Sequence, residues 1–198
     1  MRTVREQLLN AAKTGRLVEV YRYGDNAHFS VGNVLAVDDK FVLLKQVNPD
    51  GAIDGGGVYR LNTVTRVIEQ SDYLKSLVAV MALARERGYA NVWQLETIIG
   101  NLDFKKHSIL KVVLEWAFNS DQVVTIGEHP GKREAVYTGF LGSLKKKQVI
   151  FNYVDRSDLS ARWQVGLRYA NMNFVEFSSF ETLAITAILE RYMPEDFH

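Results

Sequence analysis

The feature that most constrains the fold is a series of short β-prone runs between residues 17 and 69, separated by turn residues. The runs are Leu17–Tyr21, His28–Val37, Phe41–Leu44, Val58–Leu61 and Val64–Ile68. Gly32 lies inside the second run, where a glycine predicts a bulge or a sharp bend. Short strands at close spacing, with a glycine at a bend, predict a small and strongly curved barrel.

The same order of elements recurs in the second half of the chain. A helix is predicted over Thr3–Thr14 before the first set of strands and over Phe104–Phe118 before the second. The second set consists of Val123–Ile126, Ala135–Leu144 with Gly139 inside it, Val149–Val154, and Arg162–Phe177, which holds the last two strands. The recurrence predicts a divergent internal repeat. The alternative is a chance similarity between two unrelated β segments.

Helices are predicted to flank both sets of strands. Ser71 or Asp72 caps a helix over Tyr73–Arg87, which is apolar enough that we expect it to be mostly buried. Ser178 and Glu181 have capping-box spacing at the start of the final helix. The predicted organisation is residues 1–88 as the first domain, 89–104 as a helical linker and 105–198 as the second domain. The fold class is α+β, mostly β.

Two motifs carry a resemblance to a known family. Gly32, Val34 and Asp38, followed by the hydrophobic run Phe41–Lys45, resemble the first motif of the Sm-like proteins, which include the Hfq-like proteins. Val58–Leu61 resembles the second motif of the Hfq-like proteins, which is a Tyr-Lys-His triplet. Tyr59 matches the tyrosine, Arg60 stands in the position of the lysine and Leu61 in the position of the histidine. The resemblance implies two small, strongly bent, five-stranded Sm-like barrels with flanking helices.

The resemblance also implies that the protein binds single-stranded RNA or nucleotides through the barrel loops. The candidate RNA-binding residues lie in or directly beside the turn after the second strand and the turn between the last two strands of each half. They are Lys40, Tyr59, Arg60, Asn62, Lys145, Lys146, Lys147, Arg168, Tyr169 and Asn171.

Two chemistries suit these residues. A tyrosine such as Tyr169 stacks on a base, and a lysine run meets phosphates. The alternative is that Tyr59 and Tyr169 only close the barrels, that the arginines pair with carboxylates, and that the lysines form a solvated turn.

Composition narrows the classes of function. Lysine plus arginine number 24 and aspartate plus glutamate 23, which argues against a strongly basic, indiscriminate nucleic-acid binder. The chain has no cysteine, which excludes disulfides, thiolate metal sites and cysteine catalysis. Gly55–Gly57 lacks the lysine of a phosphate-binding loop and precedes a strand, so we expect a hairpin turn there. No catalytic or metal-binding motif is recognised, and we expect a non-enzyme without metal or cofactor.

Location and partners follow from the remaining features. The amino terminus runs into an amphipathic helix, no signal peptide is recognised, and no apolar run reaches the roughly 18 residues that span a bilayer. We therefore expect a cytoplasmic protein without membrane contact. Sm-like proteins form rings by pairing strands of neighbouring copies, so the resemblance also implies a homo-oligomer. The alternative function is a protein-interaction or assembly module that has lost the nucleotide site.

Overall fold

The computed structural model describes residues 2–25, 27–92, 94–104, 108–128, 135–155 and 157–192. The fold is α+β, mostly β, and the chain divides into two compact units, Met1–Ile109 and Leu110–His198. No helix formed by these described residues is long and apolar enough to cross a membrane.

The first unit contains a helix, five strands and two further helices. Its elements are α1 Val4–Thr14, β1 Leu17–Arg22, β2 Phe29–Val37, β3 Phe41–Val47, β4 Ile53–Arg60, a 3₁₀ turn Leu61–Thr63, β5 Val64–Ile68, α2 Asp72–Glu86 and α3 Leu95–Gly100. The segment expected to be a linker belongs to this unit. Lys45 Nζ lies 2.6 Å from Glu96 Oε1, and the amide of Ile53 donates to the carbonyl of Ala90 at 2.8 Å.

The second unit repeats this order of a helix followed by five strands. Its elements are α4 Ile109–Asn119, which begins at the unit boundary, then β6 Val124–Glu128, β7 Ala135–Leu144, β8 Gln148–Asp155, β9 Asp158–Arg168, β10 Met172–Phe177 and α5 Phe180–Tyr192. The predicted strand Ala135–Leu144 and β7 have the same bounds.

The predicted fold class of two separate five-stranded barrels is wrong. The strands of the first unit form an open sheet in the order β5-β1-β2-β3-β4, and those of the second unit in the order β10-β6-β7-β8-β9. In the first unit, β4 and β5 are joined by only the three-residue turn Leu61–Thr63, yet they stand at opposite ends of β5-β1-β2-β3-β4. In the second unit, β9 and β10 stand at opposite ends of β10-β6-β7-β8-β9. The spacing of strands along a sequence does not fix which strands pair, and a barrel requires that the end strands meet.

The two glycines expected at strand bends lie in the same setting in their respective units. A Cβ atom on Gly32 would lie 2.2 Å from the carbonyl oxygen of Lys45, and one on Gly139 would lie 2.0 Å from that of Asn152. The pairing register shifts between Val34 and Ala36 in β2 and between residues 141 and 143 in β7. Both strands therefore approach their neighbour so closely that only glycine fits, just before an irregularity of the bulge type.

The expectation of a hairpin turn at Gly55–Gly57 is wrong. The three glycines are buried within β4. A Cβ on Gly57 would lie 2.7 Å from the ring of Tyr59, two residues further along the same face of the strand. The absence of a side chain at Gly57 thus makes room for the Tyr59 ring.

A buried carboxylate fixes the start of α2 to the sheet. Glu19 on β1 accepts hydrogen bonds from Tyr21 Oη at 2.7 Å and from Ser71 Oγ. Ser71 Oγ in turn accepts from the amide of Leu74 at 3.0 Å, so that of the two predicted candidates Ser71, and not Asp72, is the N-cap. Burial of the phenol, together with its hydrogen bond to Glu19, raises the pKa of Tyr21.

We expect Glu19→Gln to lower the free energy of unfolding by about 1–2 kcal/mol. The amide has one acceptor oxygen where the carboxylate offers two, so one hydroxyl loses its acceptor. Urea unfolding followed by circular dichroism measures the change. Glu86→Gln, an exposed change on α2, is the matched control and is expected to stay within about 0.5 kcal/mol of the parent. Equal midpoints for the two variants would remove this role from Glu19.

The helix α2 is less buried than its sequence predicts. Leu74, Leu77 and Met81 pack in a core cluster with strand residues of the same unit. Tyr73 and Leu83 are exposed, and Val78 is 55% exposed. The expectation of a mostly buried helix is therefore wrong, because the sheet covers only one stripe of its apolar surface.

The final helix begins one residue later than its predicted capping box. Ser178 has a positive φ of 51°. The amide of Thr182 donates to Ser179 Oγ at 3.3 Å, and the amide of Ser179 donates to Thr182 Oγ1 at 2.9 Å. Ser179 and Thr182 thus form the reciprocal pair expected of Ser178 and Glu181. One face of α5 packs Ile185 and Leu189 in a cluster with strand residues of the second unit.

Candidate nucleic-acid interface

Two turns of the second unit are hydrogen-bonded to each other. Lys145–Lys147 joins β7 to β8, and Arg168–Asn171 joins β9 to β10. The amide of Tyr169 donates to the carbonyl of Lys147 at 3.2 Å, and Tyr169 Oη donates to the carbonyl of Lys145 at 3.0 Å. These residues, Lys145–Lys147 and Arg168–Asn171, are called the basic turn pair below. All six candidate residues predicted in the second half of the chain lie in it.

The basic turn pair presents four positive charges to solvent. The side chains of Lys145, Lys146, Lys147 and Arg168 are exposed, and none of them forms an ion pair within the part of the chain that the structure describes. The buried carboxylate of Glu128 holds the start of the turn Arg168–Asn171, since its Oε1 accepts a hydrogen bond from the amide of Arg168 at 3.1 Å. The cations are thus held on a fixed backbone and are available to an anion.

Tyr169 links the two turns through a phenol that keeps its proton. The residue is half-buried. Burial of the phenol raises its pKa, and the negative charge of Glu115 adds to the rise. The hydroxyl therefore remains a donor to Lys145 at neutral pH. The amide of Asn171 donates to the carbonyl of Arg168 at 2.9 Å and closes the second turn.

Three aromatic side chains form a ladder across β7, β8 and β9. The rings of Tyr137 and Tyr153 meet edge to face with centroids 5.9 Å apart, and those of Tyr153 and Trp163 stack at 5.9 Å with an interplanar angle of 11°. Trp163 is 60% exposed, and β9 stands last in the strand order. The indole therefore has a face on which a further flat ring can stack.

Sequence reasoning did not find the aromatic ladder. The last two strands were expected within Arg162–Phe177, but β9 begins at Asp158. Tyr153 and Trp163 are cross-strand partners in the pairing of β8 with β9. The available signal was one aromatic residue next to the last position of the predicted strand Val149–Val154 and one next to the first position of Arg162–Phe177.

The corresponding turns of the first unit also meet, but Tyr59 is unavailable to a ligand. The amide of Leu61 donates to the carbonyl of Lys40 at 2.8 Å. Tyr59 is 0% exposed. Its hydroxyl accepts from Gln46 Nε2 at 2.6 Å, and the guanidinium of Arg22 lies 4.3 Å from its ring centroid. Tyr59 is therefore part of the core in this structure.

The other first-unit candidates form a weaker cationic surface. Lys40 and Asn62 are exposed. The guanidinium of Arg60 lies 4.7 Å from the centroid of the Phe41 ring, and burial lowers its pKa. The turn also contains Asp39, which pairs with Arg5 at 3.4 Å.

Asp38 adds a second carboxylate to this first-unit turn. Its Oδ1 accepts from the amides of Lys40 and Phe41, both at 2.7 Å, and its Oδ2 accepts from the amide of Ile109 at 2.8 Å. The equivalent turn of the second unit carries three lysines. The charge of the first-unit turn is thus less suited to phosphate.

Two further observations bear on the class of function. Among the described residues, no three histidine, aspartate or glutamate side chains are grouped closely enough to hold a metal ion. Comparison of the chain with protein-family models, with curated proteins and with solved structures gave no match.

Proposed function

We propose that this protein is a non-enzymatic, cytoplasmic binder of single-stranded RNA, and that the basic turn pair of the second unit is its binding surface. The observation that carries the proposal is the set of four exposed cations on two turns that are hydrogen-bonded to each other. Contacts to phosphates supply much of the affinity for nucleic acid. Cations on a preorganised backbone lose less conformational entropy on binding than cations on a mobile loop.

The aromatic ladder supports a single-stranded ligand over a duplex. Unpaired bases stack on exposed aromatic rings, which contributes about 1–3 kcal/mol per base, whereas bases within a duplex are already stacked on each other. Tyr153 lies five residues along β8 from Gln148, or about 17 Å at the rise of a strand. The ladder and the basic turn pair would therefore contact different nucleotides of one strand.

The relationship to Sm-like proteins remains part of this proposal. Each unit has a helix followed by five strands, and each has a glycine at an equivalent bend of its second strand. These features support a divergent repeat of an Sm-like unit. In the proposal, the second unit carries the RNA site, and the first unit has lost it through burial of Tyr59.

The salt dependence of RNA binding tests the proposal. Fluorescence anisotropy of labelled A-rich and U-rich single-stranded RNA, at several salt concentrations, gives the slope of log K against log salt. Each phosphate contact to a single strand contributes about −0.7 to that slope. Four cations predict a slope near −3. The proposal fails if micromolar protein binds neither pool at low salt, or if the affinity does not change with salt.

A second candidate function is assembly into a homo-oligomer, and strand edges favour it. β5 stands at one end of the strand order of the first unit and β9 at one end of that of the second, so each is paired along one side only among the described strands. Exposed strand edges are templates for pairing with another chain. Light scattering of the eluting protein is expected to give a multiple of 22.5 kDa. A mass of one chain at all concentrations would contradict assembly and leave the RNA proposal untouched.

A further inference from the structure

The first unit contains a groove that neither candidate function uses. It has a volume of about 620 Å³ and lies between the end of α1, the first residue of β1, and α2. We call it the α2 groove. Its floor is apolar and consists of Leu17, Leu74 and Met81, all of which belong to the core cluster of the unit. Val78, which is 55% exposed, extends this apolar surface to the groove wall.

The α2 groove has the length of a short peptide segment. Leu74, Val78, Met81 and Arg85 line it from one face of α2, with the spacing of residues that share a helix face. At 1.5 Å per residue these positions span about 16 Å, or three helical turns. An elongated apolar stripe of this length fits the apolar face of a helix of about three turns.

The charged side chains at the rim of the groove differ in whether they have a hydrogen-bond or ion-pair partner among the described residues. Glu69 accepts from Asn10 Nδ2 at 3.1 Å, and Lys75 pairs with Asp72 at 2.9 Å. Arg16 and Arg85 also line the groove and are exposed. Within the described ranges, neither guanidinium forms a hydrogen bond or an ion pair. Two guanidinium groups beside an apolar floor are complementary to carboxylates on an aliphatic segment, because guanidinium binds carboxylate in a bidentate manner.

The walls of the α2 groove are fixed before any ligand arrives. Glu19 holds the N-cap of α2 through Ser71. Near the other end of the helix, a Cβ on Gly51 would lie 2.7 Å from the amide nitrogen of Met81, so the turn that contains Gly51 packs directly on the helix backbone. On the opposite wall, Asn33 Nδ2 donates to the carbonyl of Gly15 at 2.8 Å. A preformed groove reduces the entropic cost of binding.

We propose that the α2 groove binds an acidic amphipathic helix of a partner protein. Aliphatic side chains of the partner would cover Leu17, Val78 and Met81, and its carboxylates would pair with Arg16 and Arg85. The inference does not depend on the proposed RNA site, which lies in the second unit.

Selection from a display library of random 12-residue peptides on the full-length protein tests this inference. The library is first depleted on the Arg16→Glu/Arg85→Glu variant, so that peptides that bind elsewhere are removed. The enriched peptides are expected to carry aliphatic residues at helical spacing together with at least two carboxylates. One labelled synthetic peptide is then titrated against the protein by anisotropy.

Two variants provide the matched comparison. Arg16→Glu/Arg85→Glu is expected to weaken binding of the peptide at least about tenfold. Lys13→Glu/Arg87→Glu makes the same change of charge at exposed positions outside the groove lining and is expected to weaken it less than about threefold. Val78→Asp places a carboxylate on the apolar wall of the groove, at a position that is 55% exposed, and is expected to abolish enrichment.

The inference is overturned if no peptide is enriched, if the enriched peptides lack carboxylates, or if both charge variants lose affinity equally. RNA anisotropy on the same variants separates the two proposals. Arg16→Glu/Arg85→Glu is expected to weaken RNA binding no more than Lys13→Glu/Arg87→Glu does.

Discussion

Replacement of Lys145, Lys146 and Lys147 together by alanine is expected to weaken binding of single-stranded RNA about 100-fold at 0.1 M salt. Each phosphate contact contributes about 0.7 to the salt slope, so each lost lysine removes roughly 0.7 log units of affinity at this concentration. Three lysines give about two log units, or about 2.8 kcal/mol. The side chains are exposed and make no ion pair among the described residues, so the change is expected to leave the fold intact. Anisotropy with the same RNA pools measures the loss.

The control for this variant makes the same change of charge in the first unit. Lys13, Arg85 and Arg87 are exposed residues of α1 and α2 or their ends, and their joint replacement by alanine is expected to reduce affinity less than about threefold. If both triple variants lose affinity equally, RNA responds to net charge and not to the basic turn pair. If the lysine variant retains full affinity, the proposed surface is not the binding surface.

Gly32→Ala is expected to destabilise the first unit by about 3 kcal/mol. Its Cβ would lie 2.2 Å from the carbonyl oxygen of Lys45, which is part of the backbone of β3 and cannot move without parting the strands. Overpacking of this kind costs about 1–3 kcal/mol, and each ladder hydrogen bond that the strands lose adds about 1 kcal/mol. At slopes of roughly 2–3 kcal/mol per molar urea, the midpoint of unfolding is expected to fall by about 1 M.

A methyl group added to Gly100 provides the comparison. Gly100 ends α3, and its Cβ would have nothing within 4 Å. Gly100→Ala is therefore expected to leave the midpoint unchanged or raise it slightly, since alanine favours helix. Gly139→Ala, which meets the carbonyl oxygen of Asn152 at 2.0 Å, is expected to behave like Gly32→Ala. A Gly32→Ala protein as stable as the parent would show that β2 and β3 are not in this close contact.

The helix ends and the buried strand were predicted well, because each depends on residues that are close together in the sequence. The helix Val4–Thr14 lies within the predicted range Thr3–Thr14, and Ser71, one of the two residues predicted to cap α2, is its N-cap. The run Phe41–Leu44 is buried throughout, as a continuous apolar segment predicts. These features depend on residues within a few positions of each other.

The pairing of strands did not follow in the same way. Closure of a barrel depends on whether the fourth and fifth strands of a unit pair with each other, and no single type of residue in the sequence indicates whether they do. Gly55–Gly57 illustrates the difficulty, since three glycines are typical of a turn but here lie within β4, where Gly57 makes room for the Tyr59 ring. Whether the three glycines form a turn or part of a strand therefore depends on where the ring of Tyr59 packs.

The positions of the candidate site residues follow from the sequence, but the packing of their side chains does not. The sequence analysis placed Tyr169 in the turn that joins the last two strands of the second half, and Tyr59 directly before the corresponding turn of the first half. Tyr59 is buried below the guanidinium of Arg22, whereas Tyr169 is half-buried between the basic turns. Only the packing distinguishes them. The exposure of Val78 on α2 likewise depends on how much of the helix the sheet covers.

The most direct test of the central claim is the amide spectrum of ¹⁵N-labelled protein during titration with a short single-stranded RNA from the pool that binds better. The account predicts that the largest shifts occur at Lys145–Lys147 and Arg168–Asn171, with further shifts near Trp163, and that the amides of residues 38–40 and 60–63 change little. Shifts confined to the first unit, or no shifts at saturating RNA, would contradict it.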